Sequence, residues 1–155
     1  MTFFQFESDF VDSLHCIPMQ VRYKLDTCGV KLKLEHWNKF TSEERETFVN
    51  MPCETPAEIE AYRESLQALV SRYMGAPAKT LEIDPNPPWT QKDSIPDDVQ
   101  TQAHQFDIEI GTAQWAGLSN LERFALYKLS RPSHENRNFL PALQEFQLKT
   151  PLGGS

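Results

Sequence analysis

The 155-residue sequence predicts a single all-α domain built from two related helical units joined by a long Pro-rich connection, with at most a token of strand. Three observations predict it. A stripe of apolar side chains with helical period runs from Ile59 to Met74. The pattern Ser/Thr-x-x-Glu occurs at Thr41–Glu44, Thr55–Glu58 and Ser119–Glu122. In this capping box a hydroxyl and a carboxylate reciprocally satisfy backbone N–H groups left unpaired at a helix start. Finally, residues 37–45, WNKFTSEER, return as residues 115–123, WAGLSNLER, at an offset of 78.

The offset extends without a gap. Ile17-Pro18 falls on Ile95-Pro96, Val21 on Val99, and Val30 and Leu32 on Ile108 and Ile110. Trp37 falls on Trp115, Phe40 on Leu118, Thr41 on Ser119, Glu44-Arg45 on Glu122-Arg123, and Phe48 on Leu126. The matches sit at structural positions, as expected for an internal duplication of a helical unit. The expected units span about 17–75 and 95–148, the connection spans 76–94, and a flexible tail spans 151–155 after a single domain of residues 1–150. Two copies are too few for a solenoid, so one domain with pseudo-twofold symmetry is expected.

Proline suits the first helical position, where its missing N–H would be unpaired anyway. Pro18 therefore opens a helix through about Cys28, with Val21, Leu25 and Cys28 on one face and Gly29 as the stop. Pro96 opens its counterpart, with Val99, Ala103 and Phe106 inward. A short alternating piece follows each, Val30-Lys31-Leu32 and Ile108-Glu109-Ile110, and then a turn carrying the tryptophan. The capping box accounts for the Glu of each Glu-Arg pair. The arginine after it is either solvated or paired with an acid from the other unit. A long helix runs from Pro56 to Met74, capped by Thr55 and ended by Gly75, with Ile59, Tyr62, Leu66, Leu69, Val70, Tyr73 and Met74 as its apolar stripe. A last helix is expected from about His134 to Phe146, with Pro141 as a candidate kink. The connection, GAPAKTLEIDPNPPWTQKDSIP, has no helical period, and one that long inside a compact domain often has a function.

A chain of this length buries roughly 70% of the surface its unfolded form exposes, so it needs neither metal nor disulfides to fold. No run of eighteen apolar residues is present, and MTFFQFESDF lacks the basic start of a signal peptide, so a cytoplasmic protein without a membrane span is expected. The net charge of −7 disfavours nucleic acid as a partner. Acid is concentrated between Glu82 and Glu109, and Val21 to Arg45 is mildly basic through Arg22, Lys24, Lys31, Lys33, Lys39 and Arg45. This fits either two solvated faces or a polarised surface that orients a protein partner.

Cys16, Cys28 and Cys53, with His15 and His36, are the plausible ligand set, but their spacing matches no zinc or iron–sulfur pattern. Cys28 on an apolar helix face reads as a small hydrophobe. His104 and His134 stand alone. The pairs Glu43-Glu44 and Asp97-Asp98 sit at helix starts, where the helix dipole explains them without catalysis. No phosphate loop, G-x-S-x-G or H-E-x-x-H is present, so no catalytic, cofactor-binding or metal residue is assigned. Apolar residues left over from the helices are Phe3, Phe4, Phe6 and Phe10 near the N-terminus and Trp89 beside Pro87-Pro88. They either fold back onto the helices or form a docking patch. The candidate partner-binding residues are Phe3, Phe4, Phe6 and Trp89.

The run FQFESDFVDSLHCIPMQVRYKLDTCGVKLKLEHWNKF, residues 4–40, followed by Glu44-Arg45 and Met51-Pro52-Cys53, resembles the nitrate reductase-associated proteins of cyanobacteria. The resemblance continues through Pro87-Pro88-Trp89 and the second tryptophan stretch. It implies a small accessory protein of assimilatory nitrate reductase, an enzyme with a molybdenum cofactor and an iron–sulfur cluster. The accessory protein would bind or mature that enzyme without catalysis of its own. The alternative expectation is a metal- or cofactor-handling protein for molybdenum-enzyme assembly that uses Cys16, Cys28 or Cys53.

Overall fold

The computed structural model describes Phe4, residues 17–131 and residues 138–146. These fall into two compact units that divide between Asp84 and Pro85, with Phe4 belonging to the second. The described residues are mostly helical, with one two-stranded sheet.

In the first unit, α1 (Met19–Cys28), α2 (Leu34–Lys39), α3 (Ser42–Asn50) and α4 (Pro56–Met74) surround one core. Strands β1 (Val30–Lys31) and β2 (Lys79–Thr80) pair antiparallel, Val30 opposite Thr80. α4 packs on α1 and α2. Its Tyr62, Leu66 and Val70 are buried, whereas Ile59 and Leu69 are partly buried and Tyr73 and Met74 at its end are exposed. An aromatic chain crosses the unit: Trp37 meets Phe40 at 6.0 Å, Phe40 meets Phe48 at 6.1 Å, and Phe48 meets Tyr62 edge-on at 5.4 Å. Gly29 ends α1 with φ +76°, and a Cβ there would lie 2.8 Å from Ile83 Cγ1. Left-handed backbone and close approach together require glycine.

In the second unit, α5 (Asp97–His104) and α8 (Phe139–Glu145) both pack on α7 (Asn120–Ser130), and α6 (Thr112–Ala116) carries the second tryptophan. Trp115, Phe124, Leu126, Leu129, Phe139 and Leu143 are fully buried there.

The capping boxes form as the sequence requires, at Thr41–Glu44, Thr55–Glu58 and Ser119–Glu122. Several expectations change. Pro18 and Pro96 stand one residue before their helices, with extended backbone and carbonyls that accept the first helical N–H groups. The tryptophan turns are short helices. α5 stops at His104, so Phe106 lies beyond it, 37% exposed and stacked on Phe139, and is not an inward helical residue. The reversal comes from Asp107, which takes φ +58° where the first unit has Gly29. Aspartate tolerates that region better than most residues. Ile110 joins no strand: its N–H and C=O are both bonded by the Gln100 side-chain amide, at 2.9 Å each. Within the connection, residues 79–80 form β2 and Pro88–Thr90 a 3-10 turn. Residues 134–137 of the expected last helix lie outside the described residues. Pro141 is the third residue of α8, where no intrahelical N–H is needed, so it starts the helix without kinking it.

Two outcomes follow. Trp37 and Trp115 are each 0% exposed. Trp37→Ala and Trp115→Ala should each lower unfolding stability by about 3–5 kcal/mol in a denaturant titration. The Glu58 carboxylate is held below the usual range by backbone N–H donors, first from Thr55 and then from Glu54. A depressed folded pKa contributes stability that is present above the unfolded value and lost as pH falls through the folded one. The melting temperatures of wild type and Glu58→Gln should therefore differ at neutral pH and converge below the carboxylate range.

Candidate functional site

The Glu-Arg pairs separate into two roles. Each glutamate caps its helix. Each arginine, four residues after the capping hydroxyl, turns back onto the carbonyl end of the preceding tryptophan helix. Arg45 Nε donates to Trp37 O at 3.0 Å and Nη2 to Asn38 O at 3.1 Å. Arg123 Nη1 donates to Trp115 O at 3.3 Å and also to Leu118 O, and Nη2 donates to Asn120 Oδ1. Both arginines are buried, Arg123 to 1% exposure. Neither arginine is solvated, and each is bonded within its own unit.

Arg123 reaches further. Its Nε donates to Trp89 O at 2.6 Å, and the Trp115 indole N–H donates to Gln91 O at 2.7 Å. The Trp89 ring meets Phe124 edge-on at 4.9 Å and lies 5.6 Å from Tyr127. Trp89 is consequently 8% exposed. Of the two readings, folding back or docking, the placement of Trp89 follows the first: it is part of the second unit's core, and the Pro88–Thr90 turn packs on α7. Phe4 is half-buried against Phe146, edge-on at 5.0 Å. Phe3, Phe6 and Phe10 lie outside the described residues, as do His15, Cys16 and His134. His36 is committed to its own helix start, where Nδ1 accepts from Lys33 N–H at 3.1 Å. His104 is exposed at the end of α5.

The candidate site is in the first unit, where Cys28 and Cys53 are brought together on the last turn of α1. The Cys28 thiol lies 3.8 Å from Leu25 O, and the Cys53 thiol 3.8 Å from Lys24 O. Both belong to the buried core cluster and both are free thiols. Lys24 closes the arrangement. Its Nζ donates to Val49 O and Met51 O at 2.7 Å each, which satisfies carbonyls at the end of α3 and fixes the chain two residues before Cys53. Tyr62 donates from its hydroxyl to Phe48 O at 2.9 Å and presents its ring 5.7 Å from Lys24 Nζ. Arg63 Nε donates to Cys28 O at 2.9 Å.

The two thiols are driven apart in acidity. A hydrogen bond from Cys28, with help from the Lys24 charge, favours the Cys53 thiolate and lowers its pKa from the ordinary thiol value. The same bond to Cys53, with burial, holds the proton on Cys28 and raises its pKa. Burial lowers the Lys24 pKa, opposed by the charges of Cys53 and Glu54. The chemistry available is that of one ionisable thiol beside one protonated thiol, with cations next to both. A metal cation fits poorly beside an ammonium and a guanidinium. Among the described residues, no group of three His, Cys, Asp or Glu is placed to hold a metal ion.

Sequence reasoning missed Lys24, Arg45 and Arg123. A signal existed for each. Lys24 falls on the same helical face as Val21 and Cys28, where a charge must find an interior partner. Arg45 and Arg123 occupy the first turn of a helix, where the dipole disfavours a cation unless acceptors lie elsewhere. Burial of Lys24 and Arg45 also removes two of the six cations that make residues 21–45 read as basic.

The chain matches the family described as conserved nitrate reductase-associated protein over residues 3–146. It belongs to that family. No curated protein and no solved structure matches the chain. No helix of the described residues is long and apolar enough to cross a membrane.

Arg123→Met should keep the aliphatic packing and remove the guanidinium bonds to the carbonyls of Trp89, Trp115 and Leu118, of which Trp115 O keeps the Leu118 N–H. Buried hydrogen bonds to charged groups contribute about 1.5–3 kcal/mol each, so the loss should be about 3 kcal/mol or more by chemical denaturation. A change under about 1 kcal/mol would show that the carbonyls find other donors.

Proposed function

We propose that this nitrate reductase-associated protein is an accessory factor that binds assimilatory nitrate reductase, a molybdenum and iron–sulfur enzyme, and is needed for its activity, with no catalysis of its own. The observation that carries this reading is the family match across residues 3–146. The fold is compatible with it. The polar side chains most often recruited for chemistry are here committed to structure: Arg45, Arg123 and Lys24 to carbonyls, and Glu44, Glu58 and Glu122 to helix starts. The working compartment would be the cytoplasm. Exposed apolar side chains at Leu34, Tyr73, Met74 and Ile83 of the first unit supply contact area suited to a protein partner.

We also read the two units as copies of one ancestral helical piece. Support comes from geometry at positions 78 apart. Gly29 and Asp107 both take left-handed backbone after the first helix of their unit. Lys33 and Gly111 N–H groups each donate to the side chain three residues on, His36 and Gln114. Thr41 and Ser119 cap through Glu44 and Glu122, and Arg45 and Arg123 bond Trp37 O and Trp115 O.

Tagged protein should co-purify with the reductase from nitrate-grown cells. Reductase from cells lacking this protein should show a several-fold lower specific activity, with molybdenum and iron content locating the affected step. Full activity in such cells would remove the proposal.

A further inference from the structure

We propose that Cys28 and Cys53 form a reversible redox pair, in which a hydroperoxide oxidises Cys53 and Cys28 resolves it as an intramolecular disulfide. The inference does not rest on the proposed role toward the reductase. It begins with placement. Lys24 and Leu25 are consecutive; the Cys28 sulfur lies 3.8 Å from Leu25 O and the Cys53 sulfur 3.8 Å from Lys24 O, so both thiols lie against neighbouring carbonyls of α1. Cys28 comes from the end of a helix and Cys53 from the loop after α3. That loop is held to α1 by the Lys24 bonds to Val49 O and Met51 O. On the other side, Arg63 of α4 holds the Cys28 carbonyl. The backbone around both thiols is thus held by the Lys24 and Arg63 bonds in addition to the bonds of the sulfurs themselves.

The charges around the pair select the chemistry. Lys24 and Arg63 are the cations and Glu54 and Glu58 the nearby carboxylates, of which Glu58 is committed to the Thr55 cap. An ammonium beside Cys53 stabilises a thiolate, the nucleophilic form. Exposure of 1% for Cys28 and 3% for Cys53 excludes a bulky disulfide as oxidant and favours a small one. The Cys53 thiolate attacks one oxygen of hydrogen peroxide, the O–O bond breaks, and a sulfenic acid and hydroxide form. The Cys28 sulfur then attacks the Cys53 sulfur, its proton leaves, and the S–O bond breaks to release water. Overall, two thiols and one hydrogen peroxide give one disulfide and two waters. A small dithiol such as dithiothreitol returns both thiols and is itself oxidised to its disulfide.

The experiment uses the full-length chain, reduced, freed of reductant and treated with a small excess of hydrogen peroxide. Free thiols titrated in denaturant should fall from three to one. Peptide mapping without reductant should show a Cys28–Cys53 linked pair that dithiothreitol removes. Cys16→Ser should retain the linked pair. Cys28→Ser, checked for a native melt, should instead accumulate sulfenic acid on Cys53, trapped by dimedone. Should Cys28→Ser fail to fold, the wild-type map and Cys16→Ser still decide the matter. Linkage of Cys16 to either thiol, overoxidation of Cys53 to sulfinic acid without a linked pair, or three surviving thiols would each overturn the proposal.

Discussion

The architecture depends on a guanidinium placed at the carbonyl end of a short helix. The tryptophan helices have six and five residues, too few to persist alone. Trp37 O and Trp115 O each accept one backbone N–H, from Phe40 and Leu118, and the buried carbonyl end still has acceptor capacity that is costly to leave unmet. Arg45 and Arg123 supply the donors from the first turn of the following helix. That helix is fixed in turn by its Thr or Ser cap, and the tryptophan ring fills the core below. Tryptophan, cap and arginine are therefore one device spread over nine residues of sequence, as WNKFTSEER and WAGLSNLER show. Of the apolar residues between them, Phe40 joins the aromatic core of the first unit, whereas Leu118 is half-buried.

What the sequence made legible was whatever is decided locally. The capping boxes, the Thr55–Gly75 limits of α4 and the left-handed stop at Gly29 depend on neighbours within four residues, and all appear as expected. What was not legible depends on tertiary partners. Asp107 reverses the chain in the second unit, yet aspartate alone is a weak turn signal, so Phe106 was placed on a helix that had already ended. The short extended pieces looked alike, but β1 finds β2, whereas Ile110 is bonded by the amide of Gln100. Trp89 looked like surplus because its partners Phe124 and Tyr127 lie in a helix more than thirty residues away. The thiol pair was hidden for the same reason: a spacing of 25 residues matches no motif, and only the Lys24 bonds make it a site.

Positions 78 apart also differ in an instructive way. The device of tryptophan, cap and arginine is present in both units, but Lys24, Cys28 and Cys53 correspond to Gln102, Phe106 and Arg131. The second unit spends its additional bonding on the Pro-rich segment through Arg123 and Trp115. The first spends it on holding the loop after α3 against α1. The tryptophan, cap and arginine arrangement occurs in the second unit without a thiol pair at the corresponding positions, so that arrangement does not itself require the pair. A buried lysine carries a desolvation cost that an apolar residue would avoid, although its two short bonds to carbonyls offset part of it. The lysine that holds the loop after α3 against α1 is also the charge beside the Cys53 thiol, so one side chain secures the first unit and sets the surroundings of the thiol.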